Sequence, residues 1–147
     1  MNPFDIKTLL LAKHAQHVVL IHFPIALFMV GVAFDFVAQW KRLRNLAAVS
    51  YYNLLVAALS TLPVMMTGIL AWRWQLDGAR LRGNLLLHLV LATISSLLIW
   101  AAWSVHYKAR RRPDWPLPAY RLPLEFAGAL FVALTGHLGG FLSGVNG

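Results

Sequence analysis

The sequence predicts an all-α integral membrane protein: a four-helix antiparallel bundle with a short N-terminal interfacial helix. Three observations predict it. Four apolar segments each approach the roughly 20 residues needed to cross a bilayer. The chain is 59% hydrophobic and only 12% charged, with a mean hydropathy of +0.63, far from the composition of soluble domains. The basic residues fall mostly at the ends of the apolar segments and between them. No segment alternates with period two, which argues against barrel strands. A length of 147 residues fits one domain over 1–147, with no internal repeat.

The elements follow in chain order. The apolar core of the N-terminus, Leu9 to Ala12, is too short for a signal peptide. It reads instead as part of an interfacial helix from about Pro3 to Gln16, with Lys7, Lys13 and His14 near headgroups. The first span runs from Val18 to Trp40. Pro24 lacks an N–H and crowds the carbonyl of Leu20, so a bend is expected where His22 projects. The second span, about Leu46 to Trp72, contains Pro63, Thr67 and Gly68. Pro63 frees the carbonyl of Leu59, which a nearby hydroxyl or water can satisfy, and the bland reading is a packing kink. The third span is Leu85 to Tyr107 and the fourth Leu122 to Leu142. The connector Arg112-Pro113-Asp114-Trp115-Pro116-Leu117-Pro118 is proline-rich and reads as extended and stiff.

Charge sets the expected orientation. Loop one carries Lys41, Arg42 and Arg44; loop three carries Lys108, Arg110, Arg111, Arg112 and Arg121. Those eight of the 13 basic residues lie on one side; Lys7, Lys13, Arg73, Arg80 and Arg82 lie on the other. The positive-inside rule therefore predicts both termini in the periplasm. Trp40, Tyr51, Tyr52, Trp103, Tyr107 and Trp115 mark the inner face, Trp72 and Trp74 the outer one. The net charge of +8 forms no interleaved basic–aromatic face, so the expected partner is anionic lipid, not nucleic acid. With zero cysteines there are no disulfides, thiolate metal sites or iron–sulfur ligands in this chain.

Two motifs carry a resemblance. The first is His17-Val18-Val19-Leu20-Ile21-His22-Phe23-Pro24-Ile25-Ala26-Leu27. It resembles the opening His-Pro-x-x-Val-His-Phe-Pro-Ile-Ala-Leu of the bacterial membrane-protein family DUF2231, with Val18 in place of Pro and Ile21 in place of Val. The second, Thr135-Gly136-His137-Leu138-Gly139-Gly140, is similar to the family's Thr-Gly-x-x-Gly-Gly. The tail, Phe141-Leu142-Ser143-Gly144-Val145, departs from the family's Leu-Val-Tyr and Gly-Val. The resemblance implies a bacterial inner-membrane protein in a redox setting, since the family often lies beside Rieske or cytochrome c modules. It assigns no chemistry to any residue.

The histidines gather at one end. His22 and His88 each lie about one turn inside the outer interface, and His137 about one and a half turns inside it. His14 and His17 sit just above. Ionisable groups inside a membrane tend to face the bundle interior and to be functional. Alone, each histidine reads as a packing residue; three at one depth suggest ligands. Imidazoles on facing helices can clamp a haem b iron in a bundle core. His22 with His88 is the favoured axial pair, as spans one and three lie diagonally. His137 then donates a hydrogen bond to a ligating imidazole or is the alternative partner of His22, and His17 meets a haem propionate. Gly136, Gly139 and Gly140 remove side chains beside His137, which suits either a macrocycle or close helix packing. His22 and His88 could instead hold copper or zinc. His106 is five turns from His88, an awkward spacing for a second haem, and reads as interfacial. Asp35 and Glu125 are the acids inside apolar segments. Asp35 is expected to reach Lys41, Arg42 or His106, and Glu125 to pair with Arg121. Asp35, His106 and Glu125 form a candidate proton or quinone site, with topology anchoring as the bland reading.

The leading expectation is an electron-transfer or quinol-interacting membrane protein that binds haem b near the periplasmic face. The alternatives are a cofactor-free anchor or assembly subunit of a respiratory complex, and a metal-ion transporter; oligomers are compatible with each. An absorbance spectrum of the purified protein in detergent separates them. The haem reading expects a Soret band that is lost in His22→Ala and His88→Ala. A colourless protein from cells grown with ample haem would overturn it.

Overall fold

A computed structural model describes residues 13–111 and 117–143, with side chains described from Gln16 onward apart from residue 75. The regular secondary structure of the described residues is all helix: α1 (Lys13–Leu20), α2 (His22–Lys41), α3 (Arg44–Gln75), α4 (Gly83–Arg111) and α5 (Arg121–Leu142). Among the described residues, four stretches are long and apolar enough to cross a membrane: Gln16–Lys41, Arg44–Trp74, Gly83–Arg111 and Arg121–Leu142. They coincide with the four expected spans and extend most of them by a few residues. The remainder of the expected interfacial helix before Lys13, the side chain of His14, Arg112 to Pro116 and the tail from Gly144 lie outside the described residues.

The break between α1 and α2 falls at Ile21, one turn before Pro24. Pro24 has no N–H to give Leu20, so the helical ladder lapses there. Ile21 keeps helical torsions, and its carbonyl accepts a stretched bond of 3.4 Å from the Ile25 N–H. The first span thus continues through a loosened turn. At its far end Arg42 adopts a left-handed conformation (φ 55, ψ 39), and the N–H groups of Arg42 and Leu43 both bond the carbonyl of Ala38. This C-cap turns the chain sharply into α3. The long α3 runs unbroken across Pro63. The nearby Thr67 hydroxyl serves the carbonyls of Pro63 and Val64 instead of the Leu59 carbonyl expected to need it.

Each helix buries a narrow seam. In α2 the buried residues are Pro24, Phe28, Gly31, Asp35 and Ala38; in α4 they are Ser95, Ile99, Ala102 and His106. In α5 they are Arg121, Glu125, Gly128 and Val132. The steps alternate between four and three, the heptad spacing that keeps one stripe facing its neighbours in an antiparallel bundle. α2 packs beside α3 and α5, and α4 beside α3 and α5, leaving α2 diagonal to α4. Phe28, Leu54, Ala57, Ala58, Ile99, Ala102 and Val132 fill the middle.

Small residues set the closest approaches. A Cβ on Gly128 would stand 2.7 Å from Phe28 Cζ, so the ring occupies the space a side chain would need. A Cβ on Gly31 would meet Leu54 Cδ2 at 3.0 Å. Such contacts matter because lipid tails supply little hydrophobic drive for helix association, leaving packing and interhelical hydrogen bonds to do it. Two hydroxyl bridges join neighbours: Ser95 to Thr135 at 2.9 Å, and Trp100 Nε1 donating to Thr61 at 3.1 Å. The outside is apolar, with Phe36, Leu62, Met66, Leu97 and Phe126 all more than half exposed. An apolar surface, with the buried polar groups facing neighbouring helices, is the pattern of a chain solvated by lipid.

Candidate functional site

The buried seams end in charge. Asp35 in α2, His106 in α4, and Arg121 and Glu125 in α5 are all at least 95% shielded within the bundle. They occupy the seam positions that Phe28, Ile99 and Val132 occupy farther along, so the same 4–3 spacing that builds the core carries them inward. All four lie toward the end bearing loops one and three.

The set forms two linked pairs. Arg121 Nε donates to Asp35 Oδ2 at 2.8 Å. The same guanidinium reaches Gln39 Oε1 through Nη2 and the carbonyl of Pro118 through Nη1. His106 Nε2 lies 2.7 Å from Glu125 Oε1. One ligand-type atom from each of Asp35, His106 and Glu125 falls within 4.8 Å of the others, close enough to share one cation. Arg121 already supplies that positive charge to Asp35. Glu125 Oε2 is buried with no hydrogen-bond partner among the described residues.

The charge count defines the chemistry. Two carboxylates bring two negative charges and Arg121 one positive. A single proton, on His106 or on Glu125, completes the balance. Uncompensated charge in a low-dielectric interior costs several kcal/mol, and the two atoms that could carry this proton stand 2.7 Å apart.

The expected pairing is exchanged. Glu125 pairs with His106 and not with Arg121, and Asp35 pairs with Arg121 and not with Lys41 or Arg42. Lys41 and Arg42 stand exposed at the end of α2, whereas Arg121 opens α5 directly beside that helix. His106 is buried within the bundle, because it continues the Ile99–Ala102 stripe while Lys108 and Arg110 leave it. Gln39 was not anticipated, and nothing in its sequence context marks it. The burial of His106 was legible, by stepping four residues on from Ala102.

The other histidines lie at the opposite end. His22 is exposed and its Nδ1 stands 2.7 Å from the carbonyl of Val18, which leaves Nε2 as the nitrogen with a lone pair. His88 is half-buried against Gly139, where a Cβ would approach its Cε1 to 3.2 Å, and its Nδ1 meets no partner in good geometry among the described residues. His137 is exposed and stands edge-on to Phe141, ring centres 5.1 Å apart. His17 reaches α3 at Thr67, 3.1 Å away, and packs on Gly68. Gly136 faces Ile25 at ordinary contact distance, and the Gly140 carbonyl accepts from Ser143. Among the described residues, the histidines at this end form no three-ligand group around one point; Asp35, His106 and Glu125 do.

Fold and site together define a four-span membrane bundle with a buried ion-pair network near one end. The chain belongs to the family DUF2231, described as predicted membrane protein, whose model matches residues 13–147. Comparison with curated proteins and with solved structures finds no match.

Proposed function

We propose that the protein is a quinol-interacting membrane component of a redox system, and that its own contribution is to take up and release a proton at His106–Glu125. The observation that carries this reading is the 2.7 Å contact between two proton acceptors inside a membrane bundle, beside a second carboxylate already neutralised by Arg121. Interconversion of quinone and quinol consumes or releases protons, and a buried acid–base pair with one mobile proton is suited to exchange them. The electrons pass to a separate carrier of the Rieske or c-type cytochrome class, the setting that the family resemblance implies. Infrared difference spectra between acid and alkaline conditions, recorded in bilayers, test the proposal. It expects a carboxylic-acid carbonyl band that vanishes in Glu125→Gln and shifts when a short-chain quinone is added. Identical spectra for wild type and Glu125→Gln would contradict it.

A second reading, haem b at the opposite end, rests on His88 and on the tautomer of His22. Hydrogen bonding of Nδ1 to a backbone carbonyl, as His22 makes to Val18, orients an imidazole so that Nε2 can ligate iron. The favoured axial pair remains His22 and His88.

We also place loops one and three in the cytoplasm of a bacterial inner membrane, and both termini in the periplasm, on the eight-to-five division of basic residues. A reporter fused after Arg44 should then read cytoplasmic; a periplasmic reading would invert the orientation.

A further inference from the structure

A cleft of about 410 Å³ opens at the loop-one end of the bundle, between the α2–α3 turn and the start of α5. The buried Arg121–Asp35 pair lines its inner part, and the exposed Gln39, Arg42 and Arg44 line its outer part. Leu43, Ala47 and Leu117 supply apolar wall. The left-handed turn at Arg42 sets both of these arginines at the helix junction. Both are exposed and neither pairs with a carboxylate among the described residues. Three guanidinium groups against one carboxylate leave the cleft with a charge of +2.

We propose that this cleft binds the phosphate headgroup of an anionic lipid. The charge suits a phosphate, and arginine presents paired N–H donors that match its oxygens. Arg121 spends three of its five N–H donors on Asp35, Gln39 and Pro118, so two remain. The apolar wall suits the first carbons of acyl chains. The depth also suits a lipid: Trp40 and Tyr120, close to the cleft in sequence, are among the most exposed aromatic side chains and mark the headgroup level. Basic pockets between membrane helices are a recurrent way to hold acidic headgroups. The two readings share the Arg121–Asp35 pair, but this one does not rest on proton exchange, since neither His106 nor Glu125 lines the cleft.

The test uses the full chain in neutral detergent. Native mass spectrometry counts retained adducts of dioleoylphosphatidylglycerol, dioleoylphosphatidylcholine and inorganic phosphate. The proposal expects phosphatidylglycerol to be retained over phosphatidylcholine. It expects R42Q/R44Q to weaken that retention by about tenfold or more. It expects R42K/R44K to restore part of it. K108Q/R111Q, which alters basic residues of a neighbouring groove between α4 and the approach to α5, should leave it unchanged, since neither residue lines the cleft. Equal loss in K108Q/R111Q would show a diffuse basic surface and overturn the proposal. So would unchanged retention in R42Q/R44Q. Inorganic phosphate binding as tightly as the lipid would overturn the lipid as occupant.

Discussion

The interaction on which the rest of the structure depends is the buried ion pair between Arg121 and Asp35. A guanidinium cannot be made neutral at ordinary pH, so it must carry its charge wherever the fold puts it. Here it is 4% exposed, between membrane helices. It stays there because Asp35, Gln39 and the Pro118 carbonyl take up three of its five donors. That requirement ties the start of α5 to the last turns of α2. With α5 fixed, Glu125 falls one turn farther along the same seam and meets His106 from α4. Two contacts therefore join three helices, and they fix the register of the helices as well as their neighbours.

Elsewhere the bundle is held more softly. Phe28 seated against Gly128, Gly31 beside Leu54, and the Ser95–Thr135 and Trp100–Thr61 bridges each lock a pair of neighbouring helices. These contacts tolerate a lipid exterior because they rely on packing and hydrogen bonds, not on hiding apolar surface from water. At the far end the helix ladder loosens at Ile21 and the histidines stand half-buried or exposed. The molecule is thus polarised, with its strongest electrostatic constraints at the loop-one end and its histidine-rich turns at the other. The proposed proton exchange and the proposed headgroup cleft both fall at the constrained end.

Much of the fold was legible in the sequence. The spans announced themselves by length and apolarity, and Pro24 disturbed the ladder close to where its missing N–H required. Asp35, His106 and Glu125 were recognisable as a possible group because charge inside an apolar segment is costly. Their pairing was not legible. Glu125 follows Arg121 by one turn, so a local pair looked natural, but both residues point into the bundle and find better partners on other helices. Gln39 and the hydroxyl bridges carry no sequence signal, since whether a polar residue faces a neighbour or lipid depends on helix rotation. Applying the four–three step to each span would have put His106 inside.

The central claim is that Asp35 and Arg121 stabilise the bundle as a pair. A double-mutant cycle of Asp35→Asn, Arg121→Gln and their combination measures this most directly, by unfolding in mixed micelles. Each single change should cost about 3–5 kcal/mol, because each strands a buried charge. The double variant should recover a substantial part of that loss. Additivity of the two single effects within about 0.5 kcal/mol would show that the residues do not interact and that the pair does not hold the bundle together.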